Sequence, residues 1–287
     1  MVNGRWYGKE KTGKIQVKRS EMQKVLLALF LILVSFYSPF TNDHSRALAA
    51  EWKEEKGDHF IVYYGGDPAF AKEIKRSADL YYTRIAEDLG YARHSNFWQW
   101  DKRVKIYIYP TEAAFQQATG KPAWTKGLAD YNAKTIITYA WSKGFTDALL
   151  PHEITHLIFR DFVGFKGEVP LWLDEGVAQW EEPKKREIAR DVAVFLIKSG
   201  KNFPLEELTK MDVRESQDQE AIHYFYMQSV SLVDYLVKKH GPRQFTVFCR
   251  ALRDGKSMDA ALKAAFPNSL VSLKELEERW IQEVTKS

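Results

Sequence analysis

The segment Leu149-Leu150-Pro151-His152-Glu153-Ile154-Thr155-His156-Leu157-Ile158 constrains this chain more than any other, because two histidines four apart stand inside an apolar, helix-compatible run. On an α-helix, positions i and i+4 share a face, so His152 and His156 can each turn an imidazole nitrogen toward a single ion. Glu153 projects beside them, where it reaches a water on that ion rather than the ion itself. Zinc suits such a pair because it accepts nitrogen and oxygen ligands tetrahedrally and leaves a position open. The plainer reading is two partly buried histidines stacked on a core helix. Either reading needs a helix inside a sizeable core. At 287 residues, 45% hydrophobic and 28% charged, the chain is long enough for one large domain or two modest subdomains.

A catalytic zinc takes three protein ligands, so the pattern needs completing. A third histidine spaced as in the H-E-x-x-H-x-x-G-x-x-H form is absent, since positions 159 and 162 are Phe159 and Phe162. The next candidate is Glu175, in Trp172-Leu173-Asp174-Glu175-Gly176-Val177-Ala178. The preceding loop holds Gly164, Gly167 and Pro170 and can swing a second helix back across the first. The small Gly176 and Ala178 let two helices approach closely. Glu175 has two readings, a third metal ligand or an acid answering the positive end of its helix. Asp174 also has two: it orients a ligand histidine through the second ring nitrogen, or it caps the helix.

Charge and cysteine content exclude other classes. Residues 1–49 carry eight Lys or Arg against three Asp or Glu, a net of +5, which leaves residues 50–287 at −1 of the chain's +4. A nearly neutral folded part gives no footing for nucleic acid. The single cysteine, Cys249, rules out an intrachain disulfide and a multi-cysteine metal site. The surplus basic residues precede the apolar run at residues 25–37, VLLALFLILVSFY. A basic flank before an apolar stretch is the order of an export signal. Ala47-Leu48-Ala49 offers a cleavage site, whereas extension to Phe40 approaches a short membrane anchor. Export with membrane attachment through residues 25–40, or secretion after cleavage, both follow from this order.

Beyond residue 50 the pattern is α+β. His59–Tyr64 and Val104–Tyr109 read as strands, and residues 68–89 between them as a helix closed by Gly90. A short capped helix follows Thr111. Leu128 to Tyr139 holds one or two strands, 145–160 a helix, and Leu173 to about Glu182 another. Past Lys184 the chain is helical, with runs near 186–198, 218–239, 243–253, 258–265 and 270–284, punctuated by Pro204, Pro242 and Pro267. The organisation expected is an export segment and linker at 1–49, a mixed-sheet subdomain with the HEITH helix at 50–164, and a helical subdomain carrying Glu175 at 165–287. Trp98, Trp100 and Trp124 are assigned to core packing, with substrate subsites as the second reading. The charged run Glu181-Glu182-Pro183-Lys184-Lys185-Arg186-Glu187 is assigned to a solvated face.

HEITH followed after eighteen residues by Glu175 within WLDEGVAQW resembles the gluzincin zinc metallopeptidases, in particular the peptidase MA-like domains of bacteria. The resemblance spans roughly residues 50–287 and implies a thermolysin-like fold. It implies one catalytic zinc on His152, His156 and Glu175, with Glu153 as general base and proton shuttle. It also implies that a tyrosine on a later helix steadies the oxyanion. Tyr226, in Tyr226-Met227-Gln228-Ser229, stands where relatives carry Tyr-x-Lys-Gly, and Tyr224 is its alternative. The Gly-rich loop ending in Glu-Asn that captures a free amine in aminopeptidases is missing, so an endopeptidase is implied. In gluzincins extended peptide substrate pairs with a sheet edge beside the active helix. Lys134 to Tyr139, with Asn132 or Ala133 at its start, is the counterpart expected here, unless it is an internal strand. The competing classes are a non-catalytic zinc-binding envelope protein and an enzyme cutting another amide. One short apolar segment far from HEITH argues against a membrane-embedded protease.

Overall fold

Alternation at Phe60–Tyr64 and Val104–Tyr109 places one row of side chains inward and the other outward, and a computed structural model pairs these strands in parallel. The structure describes residues 52–91, 97–121, 125–140, 144–165, 169–214 and 216–286. The export segment, Ala47-Leu48-Ala49, Gly167 and Trp124 lie outside the described residues. No helix among those described is long and apolar enough to cross a membrane.

The sheet contains β1 (Lys53–Lys56), β2 (Phe60–Tyr64), β3 (Val104–Tyr109), β4 (Gly127–Asp130) and β5 (Thr135–Tyr139), in the spatial order β1-β2-β3-β5-β4. β2, β3 and β5 run parallel, and the outer strands β1 and β4 are antiparallel to their neighbours. Parallel neighbours require a crossover, and α1 (Pro68–Asp88) supplies it between β2 and β3. Asp67 caps α1 by accepting from the Ala69 amide, and Pro68 fits its first turn. After β3, Thr111 caps α2 (Glu112–Thr119) in the same way through the Ala114 amide.

The strand expected at the sheet edge is internal. β5 hydrogen-bonds β3 on one side and β4 on the other, and all five of its residues are buried. The edge belongs to the shorter β4. A Cβ on Gly127 would stand 2.6 Å from Leu149 Cδ2, so β4 presses closely on the start of the next helix.

From Gly144, in the left-handed region at φ 88, the chain makes a wide turn at Phe145–Leu149 that leads into α3 (Leu150–Val163). This helix carries HEITH. Nearly every side chain on it is buried, as befits a helix in the middle of a domain rather than on its surface. Then come α4 (Leu171–Trp180), α5 (Pro183–Ser199), the one-turn α6 (Leu205–Leu208), α7 (Gln219–His240), α8 (Pro242–Arg253), α9 (Met258–Ala265) and α10 (Leu273–Thr285). The architecture is therefore α+β, a mixed sheet followed by a helical half. β1 and α6 are additions to the elements expected from sequence. α4 crosses α7 at Gly176, where a Cβ would approach the Ser229 carbonyl oxygen to 2.8 Å.

Candidate metal centre

α3 presents His152 and His156 on one face, and α4 brings Glu175 against them from the neighbouring helix. One ligand atom from each of the three lies within 4.8 Å of the others. The two Nε2 atoms are 3.1 Å apart, and Glu175 oxygens stand 3.6 Å from His152 Nε2 and 3.9 Å from His156 Nε2. Zinc–nitrogen bonds of about 2.0–2.1 Å at a tetrahedral angle separate two ligand nitrogens by roughly 3.3 Å. The cluster therefore fits the ion that its donor types favour.

Each imidazole is aimed by a carboxylate behind it. His156 Nδ1 donates to Asp174 Oδ1 at 3.0 Å, and His152 Nδ1 donates to Glu182 Oε1 at 2.9 Å. A carboxylate only accepts, so both Nδ1 atoms carry protons and both Nε2 atoms are the ones turned to the cluster. The carboxylates are held in turn. Arg160 donates to Asp174 Oδ2 at 2.8 Å, and Lys185 donates to Glu182 Oε1 at 2.8 Å. Asp174 thus orients His156. Helix α4 is preceded by Pro170 and has no side-chain cap, so the capping reading of Asp174 is set aside.

The electrostatics favour a cation at the point of convergence. Burial holds the His152 imidazole down at about 4, over the opposing pull of Glu182. Burial also opposes a charge on His156, but the Asp174 carboxylate beside it, then Glu175 and Glu153, outweigh that and lift it to about 9. Burial pushes the carboxyls of Glu153 and Glu175 up to about 7. Three buried carboxyl groups thus lie around the two Nε2 atoms, and their pull favours positive charge between them. A divalent ion in that place satisfies both nitrogens and Glu175 together and displaces a proton.

Glu153 is wholly buried, and neither of its carboxylate oxygens has a hydrogen-bond partner among the described residues. Buried polar atoms normally find partners, so this orphaned pair marks a position for a group the fold itself does not supply. Tyr226 on α7 is buried, and its hydroxyl bonds no described residue. Burial first, and then the Glu175 carboxylate facing it, push its phenol well above the usual range. Tyr224 points elsewhere, its hydroxyl engaged by Lys201 and Glu220 in an exposed position.

A cleft of about 360 Å³ opens onto the cluster. Tyr131, Arg160, Asp174 and Glu175 line it together with Met211, Asp212 and Arg214 from the segment after α6. Tyr131, Arg160, Glu182 and Lys185 were not singled out from sequence. Arg160 had a signal, since it stands four residues after His156 on the same helix face. Glu182 and Lys185 overturn the solvated-face reading of the 181–187 run, for Glu181, Glu182 and Lys185 are all buried. Arg84 draws that turn inward by donating to the Glu181 carbonyl at 2.7 Å and to its Oε2 at 3.2 Å. Trp98 is in the core, bonded to Asp161 Oδ2 at 2.8 Å, whereas Trp100 is 79% exposed and does not pack as expected.

No curated protein matches the chain. Residues 85–286, more than half of it, match the family model described as Peptidase MA superfamily, a stretch that runs from within α1 to the end of α10 and includes both metal-binding helices. With that match and with His152, His156 and Glu175 converging as a ligand set, the chain belongs to the peptidase MA superfamily and carries a zinc-metallopeptidase domain of the gluzincin type.

Proposed function

We propose that this protein is an endopeptidase that hydrolyses peptide bonds outside the cytoplasmic membrane, using one zinc ion on His152, His156 and Glu175. The observation that carries the catalytic reading is Glu153, whose two buried oxygens face no partner among the described residues while the ligand set beside it is complete. A residue kept only for packing or for metal binding gains nothing from that arrangement. Zinc, when bound, supplies a Lewis acid that polarises the scissile carbonyl and makes water acidic enough to react at neutral pH. Glu153 takes the proton of the attacking water on a carboxylate oxygen and delivers it to the departing amine. Burial suits it to both tasks, since a carboxyl held at about 7 both accepts and releases a proton near neutrality. Tyr226 donates a hydrogen bond to the carbonyl oxygen as charge develops there. Asp174 and Glu182 keep the two imidazoles facing inward throughout.

The substrate is an extended peptide laid along β4, which is paired with another strand on one side only among the described residues. The closeness of this edge to the start of the HEITH helix, at Gly127 against Leu149, supports a thermolysin-like arrangement. The absence of an amine-capturing Glu-Asn loop from the sequence favours attack within a chain. Location outside the cytoplasm rests on the basic flank and apolar run of residues 5–40.

The test compares cleavage of a mixed peptide library by the full chain and by Glu153→Gln, with zinc content measured on both. Cleavage at interior bonds that falls at least about 10³-fold in the variant, at equal zinc content, supports the reading. Equal zinc without any Glu153-dependent cleavage assigns the site to binding alone and refutes the enzyme.

A further inference from the structure

We propose that Tyr131 is a further hydroxyl of the active site, donating a hydrogen bond to the substrate's reacting carbonyl oxygen. The inference rests on the peptidase reading for the identity of that oxygen, and on geometry for everything else. Tyr131 is the first residue after edge strand β4 and lines the cleft beside Asp174 and Glu175. Its ring stands edge-on to ligand His156, with centroids 6.0 Å apart and planes at 78°. Asp174, Glu153 and Glu175 all act electrostatically on its phenol, which places it within reach of the cluster to which a peptide on β4 would bring its carbonyl.

The turn that carries Tyr131 is built to hold it still. Asp130 Oδ1 accepts from the amides of Asn132 and Ala133, both at 2.9 Å, which closes a tight turn around the tyrosine. Lys134, in the left-handed region at φ 49, ends the turn and pairs with Asp161 Oδ2 at 2.5 Å. Trp98 Nε1 donates to the same oxygen at 2.8 Å. The adjacent Arg160 lays its guanidinium over the Tyr131 ring, 4.3 Å from the centroid, while donating to Asp174. The edge-strand turn is therefore fastened to the metal helix at two successive residues, Arg160 and Asp161. Fixed donors aimed at developing charge need no reorganisation when the charge appears, and that preorganisation is where their effect on rate originates.

Tyr131→Phe separates the hydroxyl from the ring, because phenylalanine retains the contacts with Arg160 and His156. Two measurements on the zinc-loaded full chain decide the matter: affinity for acetohydroxamate, a small chelating oxyanion, and cleavage of the peptide library. The expected result is zinc content equal to wild type, hydroxamate binding weaker by roughly 10-fold, and kcat lower by about 10²-fold with KM little changed. Hydroxamate affinity equal to wild type overturns the proposal and leaves the ring a packing element. Loss of zinc from the variant overturns it as well, since the residue would then be holding the cluster. Hydroxamate binding that depends on Tyr131 in a protein without Glu153-dependent cleavage retains the hydroxyl in the site and removes the peptidase reading alone.

Discussion

Asp174 on α4 and Glu182 in the turn before α5 do the same work, and the difference in what holds them makes their loss distinguishable. Asp174 sits between His156 and Arg160, so Asp174→Asn keeps the shape but removes a charge from both. Glu182 sits between His152 and Lys185, and Glu182→Gln leaves a buried ammonium without its anion. Outer carboxylates of this kind contribute about 10–100-fold to metal affinity. Competition against a chromophoric chelator should show that loss in both variants, while Glu182→Gln should also lower the melting temperature because Lys185 is buried. Under the proposed role of Tyr226, Tyr226→Phe should leave zinc affinity unchanged and lower kcat by about 10²-fold. At this scale the sequence disclosed the ligands better than their supports. HEITH is read from spacing on one helix, and Glu175 from the need for a third donor. Asp174 had two readings that only its distance to His156 separates. Glu182 was hidden in a run of alternating charge, which ordinarily means solvent. Here the turn is buried because Arg84 reaches across from α1 to hold it.

The element that sets the site's dimensions is the crossing of α4 on α7. Glu175 reaches the histidines because Gly176 lets its helix approach the α7 backbone at Ser229. Gly176→Ala puts a methyl group 2.8 Å from the Ser229 oxygen and 3.0 Å from Val233 Cγ2, neither able to give way without moving a buried helix. Overpacking of this sort costs about 1–3 kcal/mol. Thermal denaturation should register that cost, and zinc affinity should fall with it because Glu175 moves on the same helix. Ala178→Gly serves as the control, since it relieves no crowding and should leave the zinc affinity intact. Most elements were legible from pattern: Val104–Tyr109 and Met258–Ala265 appear as expected, and Pro68–Asp88 within a residue. The sheet edge was not. Lys134 to Tyr139 is rich in β-branched residues and aligned before the active helix, features that an internal strand shares. The real edge, Gly-Leu-Ala-Asp, is short and weak in β propensity, as edges often are, and only pairing order distinguishes the two.

Across the whole molecule, a bound ion would add a metal link between α3 and α4, which Asp174 already joins through His156 and Arg160. The helical half also meets α1 through Arg84 on the Glu181 carboxylate and Arg186 on Asp88 at 2.9 Å, and salt screens the second, partly exposed pair more than the first. A ligand that binds only the folded state stabilises it by about 4 kcal/mol at a thousand times its dissociation constant. For a domain of this size that is roughly 10 °C in melting temperature. Chelation should lower the melting temperature by about this amount, and added zinc should restore it along with cleavage. Glu175→Gln provides the sharper form of the experiment. Without an ion, Glu175 adds a third carboxyl to Glu153 and Asp174 in a buried space, and burial with those two neighbours raises it to about 7. Removing its charge relieves repulsion, so in chelator the variant should melt at or above the wild type. In zinc the order should reverse, because the variant has lost one of three ligands and the wild type has its carboxylates neutralised. Glu153→Gln should retain the full zinc-dependent rise, since Glu153 stands beside the ion without ligating it. A zinc response in Glu175→Gln as large as that of wild type would remove Glu175 from the ligand set, and with it the feature that joins the two halves at the metal.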